Sequence, residues 1–217
     1  MGFNLDNIRM TFLKYTRMAY KLLPKINNPK ILDVGCGSGI PTLELAKLSN
    51  GNIIGIDIDK SSLEKFKKKM NQSEFNYKIS IKQMSLLDND FPDENFDIIW
   101  SEGAFSIIGF KKAIKICHRL LKKGKFLVIF EAVNGVEYNM ELINSTGFKL
   151  VDKILLPDDI WITNYFEPIK EMIKEINYKE LTPDQVKELK KAKKDLHWVK
   201  NATPKELESA FYTFMRI

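Results

Sequence analysis

An aspartate and three closely spaced glycines near the N-terminus are the residues of this chain that most clearly indicate a chemical task. They are Asp33, Gly35, Gly37 and Gly39, and a helical pattern starts just beyond them at Pro41. A glycine loop between a strand and a helix lets backbone approach a ligand closely, and the first helical turn offers unpaired N–H groups. The pattern therefore predicts a cradle for a cofactor.

The spacing within the loop separates two classes of cofactor. A dinucleotide site has the pattern G-x-G-x-x-G, and counting from Gly35 its third glycine would fall at Ile40. Asp33 would also repel a pyrophosphate at close range, whereas the sulfonium and ammonium groups of S-adenosylmethionine would be attracted to it. The loop therefore favours S-adenosylmethionine over NAD.

A second apolar run, residues 52–57, ends in Asp57, eighteen residues after Gly39. That interval accommodates one helix that returns the chain to the sheet, so Asp57 would accept hydrogen bonds from both ribose hydroxyls. The motif Asp-x-Gly-x-Gly-x-Gly with this second acid resembles motif I of the class I S-adenosylmethionine-dependent methyltransferases, a family with a Rossmann-like fold.

The resemblance implies roles for further residues. Ile58 would lie against the adenine face, and Ser85 and Leu86 would meet the adenine amino group and ring nitrogen, although the family more often has Asp where this chain has Ser85. The cofactor-binding residues expected in this way are Asp33, Gly35, Cys36, Gly37, Gly39, Asp57, Ile58, Ser85, Leu86 and Ser101. The cofactor implied is S-adenosyl-L-methionine, with S-adenosyl-L-homocysteine as its product.

The segment 91–104 resembles the loop and fourth strand of small-molecule methyltransferases, in which P-x-x-x-F-D precedes the strand. Its end, Trp-Ser-Glu-Gly-Ala at residues 100–104, is similar to a branch of the family whose substrates are largely unassigned. Base N-methyltransferases of this fold carry Asn/Asp-Pro-Pro-Tyr/Phe at this place. The resemblance therefore implies a small-molecule acceptor.

Glu102 is the candidate catalytic residue. Transfer from a sulfonium chiefly requires that the acceptor and the methyl group be held aligned, about 3 to 3.5 Å apart. A base is needed only for a protonated acceptor. Glu102 would lie at the mouth of the fourth strand, beside the methionine portion of the cofactor, where it could act as base, bind the acceptor or bind the ammonium group of the cofactor. The alternative is a structural carboxylate that pairs with a backbone amide. Glu131, at the end of the fifth predicted strand, is a second candidate.

A helical insert is predicted at residues 157–205, between the last two strands. Ligands of such sheets bind outside the carboxyl ends of the strands, so the insert and the N-terminal helix could cover the acceptor pocket. The candidate substrate-binding residues are Trp161, Asn164, Tyr165 and His197. The alternative is that these aromatic residues only pack the insert on the domain.

Composition limits the other possibilities. The chain has 217 residues, is 44% hydrophobic and carries a formal charge of +6. Its basic residues are mostly dispersed lysines, which favours a solvated surface over a nucleic-acid footprint. It has neither an apolar stretch of roughly 20 residues nor a secretory leader pattern. Cys36 and Cys117 indicate neither a disulfide framework nor a metal site. We therefore expect a cytoplasmic enzyme without a metal or a membrane anchor.

The predicted fold is α/β: a Rossmann-like, seven-stranded, mostly parallel sheet with helices on both faces. The resemblance implies the strand order 3-2-1-4-5-7-6 with the last strand antiparallel. We predict one methyltransferase domain over 1–217, with an N-terminal helix in 1–24, the core in 30–156 and 207–217, and the insert in 157–205. Within the core the pattern predicts a helix near 60–70 capped by Asp59, a helix near 109–121 that Gly124 ends, a strand near 125–131 and a helix near 137–146. Within the insert it predicts a helix from Thr182 to Leu196.

The function predicted is methyl transfer from S-adenosylmethionine to a small molecule by in-line displacement. Two alternatives stay open: an RNA or protein methyltransferase, and a non-catalytic module that binds S-adenosylmethionine. The sequence identifies neither the acceptor atom nor the oligomeric state.

Overall fold

The computed structural model describes residues 3–217, and in this part of the chain a seven-stranded β-sheet forms the centre. The strands are β1 Lys30–Val34, β2 Asn52–Asp57, β3 Ile79–Gln83, β4 Phe96–Glu102, β5 Leu121–Ala132, β6 Phe148–Leu155 and β7 Ser209–Arg216. Their order is β3-β2-β1-β4-β5-β7-β6; β7 runs antiparallel to both neighbours, and the other pairs are parallel. The predicted Rossmann-like sheet, its order and its antiparallel last strand are confirmed.

Helices lie on both faces of the sheet. Within residues 3–217 they are α1 Asp6–Met10, α2 Leu13–Leu22, α3 Ile40–Leu48, α4 Lys60–Asn71, α5 Phe105–Ile108, α6 Phe110–Leu120, α7 Val133–Tyr138, α8 Met140–Ser145, α9 Glu167–Lys174, α10 Pro183–Val199 and α11 Pro204–Leu207. None of these helices is long and apolar enough to span a bilayer.

Three hydrophobic clusters hold these layers together. One lies between the sheet and α5 to α8, and a second lies on the opposite face, under α2, α3 and α4. The third is separate and joins the N-terminal segment to the insert through Phe3, Leu5, Ile8, Ile169, Ile176, Leu189 and Ala192. The insert and the N-terminal segment therefore share a small core of their own.

The N-terminal helix differs from the prediction of one continuous helix. It is divided at Thr11 and Phe12 into α1 and α2. The Thr11 hydroxyl donates to the carbonyl of Ile8 at 2.7 Å, and the N–H of Phe12 donates to the carbonyl of Arg9 three residues earlier. Such local bonds compete with the regular helical pattern, and the break places the Phe12 ring beside Trp161.

Two boundaries in the middle of the chain also differ from the predictions. The strand predicted near 125–131 starts earlier, at Leu121, which pairs with Phe96 before a register shift in β5, so the helix predicted near 109–121 ends at Leu120 and not beside Gly124. In place of the single helix predicted at 137–146 there are two helices, α7 and α8. The first starts at Val133, and the two meet at Asn139. The Asn139 side chain donates to the carbonyl of Gly135 at 2.8 Å, a local bond that accompanies the break.

Predicted helix starts agree with the observed caps. Asp59 accepts from the N–H of Ser62 at 3.3 Å and caps α4, as predicted. Thr182 begins α10 with a capping box to Gln185, and the helix extends to Val199, beyond the predicted end at Leu196.

Gly39 allows a sterically testable prediction. Its φ of +81° is left-handed, and a Cβ there would overlap the ring of Phe66, whereas at Gly124, with φ +69°, a Cβ would meet nothing within 4 Å. We expect Gly124→Ala to lower the free energy of unfolding by about 1 to 2 kcal/mol through backbone strain alone. Gly39→Ala should lower it by roughly 3 kcal/mol or more, because overpacking adds to the strain. Urea denaturation measures both, and equal losses would contradict the overlap.

Candidate functional site

A cavity of about 870 Å³ opens at the carboxyl ends of the central strands. In the sheet, β2 lies on one side of β1 and β4 lies on the other, so the order of the strands reverses direction at β1. The cavity lies at this point, which is where parallel sheets of this kind usually bind ligands. Its volume falls in the range typical of small-molecule sites. The cavity is therefore the candidate functional site.

The glycine loop forms the floor of the cavity and is fixed by backbone bonds. The N–H groups of Gly35 and Cys36 both donate to the carbonyl of Ile56, at 2.9 and 3.1 Å. A Cβ on Gly35 would lie 2.6 Å from the Cβ of Ala104, so the loop packs closely against the segment that follows β4. The loop thus joins the two sides of the cavity.

Asp57 connects the first two β–α loops. Its Oδ2 accepts from the N–H of Gly37 at 2.8 Å, and its Oδ1 accepts from the N–H of Asp59 at 2.8 Å. Each carboxylate oxygen can accept a further hydrogen bond. Asp57 lines the cavity, so these remaining acceptor positions suit a pair of hydroxyl groups.

Asp33 lies beneath the loop, 2% exposed, and accepts a hydrogen bond from the Thr42 hydroxyl at 2.5 Å. Burial, followed by repulsion from Asp57, raises the pKa of Asp33 to about 7. A positive charge bound nearby would favour the ionised form of this carboxyl group. The arrangement therefore suits a cationic ligand.

Exposed apolar side chains line the cavity beyond Asp57. Ile58 is 68% exposed and Leu87 is 41% exposed, so both present apolar surface to the cavity. Ser85 lies between them in the lining, and its Oγ accepts from the N–H of Leu87 at 3.1 Å. Its hydroxyl proton remains available to a ligand. This end of the cavity offers apolar surfaces and one hydroxyl group to a flat polar ring.

Glu102 lies in the wall on the β4 side. Its Oε1 accepts from the indole N–H of Trp100 and from the hydroxyl of Thr16, both at 2.9 Å. No protein group within residues 3–217 donates to its Oε2. Burial raises the pKa of Glu102 to about 7, with a smaller contribution from Asp33. Glu102 is thus a positioned carboxylate that could take up a proton near neutral pH.

Glu131, the second candidate, has a structural partner. Its Oε1 accepts from the N–H groups of Phe105 and Ser106, at 2.7 and 3.3 Å, at the start of α5. Burial raises its pKa. The residue lines the cavity while it caps this short helix.

Aromatic rings form the wall next to Glu102. Phe130 is paired with Glu102 in the β4–β5 register, and Trp161 stacks on Phe130 with ring centroids 6.1 Å apart. Phe12 and Tyr165 pack against Trp161 at centroid distances of 5.1 and 5.3 Å. Trp161 is oriented by a 2.8 Å hydrogen bond from its Nε1 to the hydroxyl of Ser209.

Most of the predicted site residues line this one cavity. They are Asp33, Gly35, Cys36, Gly37, Asp57, Ile58, Ser85, Leu86, Glu102, Trp161 and Tyr165. Cys36 has a small side chain held beside Gly55, and burial raises the pKa of its thiol far above the usual range.

Four predicted residues do not line the cavity. Gly39 is the cap residue of α3, and the Ser101 hydroxyl donates to the carbonyl of Val34 at 3.0 Å. Asn164 accepts from its neighbour Thr163 at 2.9 Å, and His197 is exposed on α10, next to the lining residue Trp198. The structure therefore gives these four positions local roles or surface positions.

Other lining residues were missed from the sequence. Lys191, Asp195 and Trp198 line the cavity from α10, with the spacing of one helix face, and that spacing could have identified them. Phe12 and Phe130 had no such signal. Phe130 lies in an apolar central strand, in which residues on both faces are buried.

Comparisons with known proteins agree with this geometry. Residues 31–124 match the protein family described as "Methyltransferase domain". The ubiquinone/menaquinone biosynthesis C-methyltransferase UbiE of Geotalea uraniireducens (strain Rf4) is 31% identical over 121 residues, which are 54% of this chain and 52% of that protein. Residues 31–124 are thus similar to a methyltransferase domain, and the sheet that contains them has the Rossmann-like strand order.

Solved structures show the same fold. The cyclopropane synthase MmaA2 from Mycobacterium tuberculosis has a TM-score of 0.73 at 14% identity, and the match covers 94% of this chain and 84% of that one. The [4+2]-cyclase SpnF has a TM-score of 0.75 at 17% identity, covering 94% and 80%. Proteins of this fold are thus named for different reactions, so the fold alone does not determine the reaction of this chain.

The match to curated relatives is partial. The chain spans 27%, 29% and 53% of the lengths of three of these proteins. The chemical groups that line the cavity nevertheless fit S-adenosylmethionine, because they include hydrogen-bond acceptors at Asp57, an apolar surface at Ile58 and a carboxyl group at Asp33.

Glu102 should affect the pH dependence of stability. The folded chain keeps this carboxyl group protonated up to about pH 7, whereas the unfolded chain releases the proton near 4.5. The free energy of unfolding of the ligand-free protein should therefore fall as the pH rises between these values. Glu102→Gln retains an acceptor oxygen for Trp100 and Thr16 but does not ionise, so the decline should be shallower, with a remaining part due to Asp33.

Urea denaturation at a series of pH values measures this difference. Glu141→Gln, which changes an exposed carboxylate on α8, is the control and should retain the slope of the unmodified chain. An unchanged slope in Glu102→Gln would show that Glu102 ionises normally.

Proposed function

We propose that the chain transfers a methyl group from S-adenosylmethionine to a small organic acceptor. The observation that carries the proposal is the continuity of one cavity, which extends from Asp33 and Asp57 through Glu102 to the aromatic wall of Phe12 and Trp161. Such a cavity can hold a cofactor and an acceptor side by side.

The cofactor would occupy the end of the cavity formed by the glycine loop. Asp57 would accept hydrogen bonds from the ribose hydroxyls, and Ile58 and Leu87 would contact the adenine. Ser85 would donate to the adenine ring, and Asp33 would stabilise the positive charges of the methionine portion. When bound, S-adenosylmethionine supplies an electrophilic methyl group, so the protein needs no strong nucleophile of its own.

The acceptor would lie between Glu102 and the aromatic wall. The rings of Phe130 and Trp161 supply a flat apolar surface that restricts its orientation, and orientation accounts for much of the rate of a two-substrate displacement. Glu102 would hold or receive a proton of the acceptor through Oε2, while Thr16 and Trp100 keep the carboxylate in place through Oε1.

A small acceptor is favoured over RNA or protein because helices border the cavity opposite the loop. We call α1 and α10 together the cover. Glu188 of α10 pairs with Arg9 at 3.8 Å and with Lys65 of α4 at 3.2 Å, and Lys187 pairs with Asp59 at 3.5 Å. The cover is thus attached to α4, the helix that follows Asp57. It would exclude water and bulky acceptors from the cavity.

Asp57→Ala tests the cofactor site. We expect this variant to weaken the binding of S-adenosylhomocysteine by about 1 to 3 kcal/mol, because hydrogen bonds to a carboxylate and the tie to Gly37 are lost. Isothermal titration calorimetry measures the effect directly.

Asp59→Asn is the matched control, two residues along the chain. Asparagine caps helices as well as aspartate does, so this variant removes one negative charge from the cavity rim and retains the start of α4. It should bind S-adenosylhomocysteine with nearly unchanged affinity. Equal weakening by both substitutions, or binding of NADH in place of S-adenosylhomocysteine, would contradict the proposed cofactor site.

A further inference from the structure

The charge of the cavity is opposite to the charge of the chain. The whole sequence has 34 lysines and arginines against 28 aspartates and glutamates, whereas the cavity is lined by eight carboxylate side chains and two basic ones. A cleft lined by one sign of charge concentrates ligands of the opposite sign. The cavity should therefore favour cations in general.

The cofactor accounts for only part of this negative charge. Asp33 and Asp57 belong to the glycine-loop end, and Glu131 is engaged with the N–H groups at the start of α5. Glu102 is held in place by Thr16 and Trp100 through Oε1, and no donor within residues 3–217 reaches its Oε2, which leaves that oxygen for a ligand. Asp195, on the α10 side, adds a second carboxylate beyond the cofactor end.

Aromatic rings line the cavity together with Glu102. Phe130 is its register partner on the neighbouring strand, and Trp161 stacks on that ring. Thr16, which donates to Glu102, lies one helical turn after Phe12, and the Phe12 ring packs against Trp161. Ring faces attract cations, and the attraction is strongest for tryptophan. A carboxylate beside such rings is a binding arrangement for an ammonium group.

We infer that the methyl acceptor is an amine, whose ammonium group is bound by Glu102 within the pocket formed by Phe12, Phe130 and Trp161. This inference rests on the proposed function, since it assigns the substrate class of the same site. It makes the reaction an N-methylation.

The proton balance of that reaction assigns a role to Glu102. One proton passes from the ammonium nitrogen to the Glu102 carboxylate, which frees the nitrogen lone pair. The nitrogen would then form a bond to the methyl carbon while the carbon–sulfur bond breaks. The electron pair of the broken bond would stay on sulfur, which becomes a neutral thioether. The product is a methylammonium ion, and Glu102 releases its proton to solvent. A carboxyl group that titrates near neutral pH is suited to this exchange.

Three probes of similar shape test the inference by calorimetry on the chain saturated with S-adenosylhomocysteine: 2-phenylethylamine, its N,N,N-trimethyl derivative and 2-phenylethanol. We expect both cations to bind at least about tenfold more tightly than the alcohol, owing to the carboxylate and the rings. Glu102→Gln should remove most of that preference, and Trp161→Leu should reduce it, whereas Glu141→Gln should retain it.

Binding of S-adenosylhomocysteine itself distinguishes a failure of the proposed function from a failure of the amine assignment. Glu102→Gln should bind it within about threefold of the unmodified chain, which also shows that the variant is folded. If the unmodified chain does not bind it, the proposed function fails, and the inference fails with it. If it binds but the alcohol equals the cations, or neither cation binds, the amine assignment alone is overturned. The same conclusion follows if Glu102→Gln weakens S-adenosylhomocysteine as strongly as the cations, because Glu102 would then serve the cofactor.

Discussion

The site depends on the carboxylate of Asp57, which bonds to the N–H groups of both Gly37 and Asp59. These two bonds hold the loop after β1 against the loop after β2, and a third connection, the close packing of Gly35 on Ala104, adds the segment after β4. Three loops from separate strands therefore meet with little freedom. A cavity bounded by such loops is preorganised, so a ligand need not pay the full entropy of ordering them.

Local features of this arrangement could be predicted from the sequence because their causes are local. The left-handed φ angles at Gly35 and Gly37 require glycine, and the apolar runs that end in Asp33 and Asp57 identify the strands that carry the two acids. The strand order came from family resemblance and was confirmed. Side-chain hydrogen bonds, by contrast, moved the helix boundaries at Thr11 and Asn139, where periodicity alone suggests a continuous helix.

The acceptor side could be predicted only in part because it is assembled from distant segments. Trp161 and Tyr165 were identified by their residue types, but their partners Phe12 and Phe130 come from the N-terminal helices and from β5. Similarly, α1 and α10 are far apart in sequence and share a small core around Ile8, Ile169 and Leu189. The hydrophobic periodicity within each segment does not indicate that the two segments pack against each other. His197 is an example, since the structure places it outside the cavity lining and places its neighbour Trp198 within that lining.

Electrostatics links the two ends of the cavity. Burial, together with the repulsion of Asp33 by Asp57 and of Glu102 by Asp33, favours the protonated forms of Asp33 and Glu102. A bound cation reverses the balance, because it compensates the lost hydration of these carboxyl groups and screens them from one another. Occupation of one end by a cationic cofactor therefore changes the charge that the other end presents. These carboxyl groups destabilise the ligand-free fold near neutral pH, but they stabilise the folded state once a cation is bound beside them. The affinity for a cationic ligand and the free-energy cost of burying these acids therefore have the same physical origin.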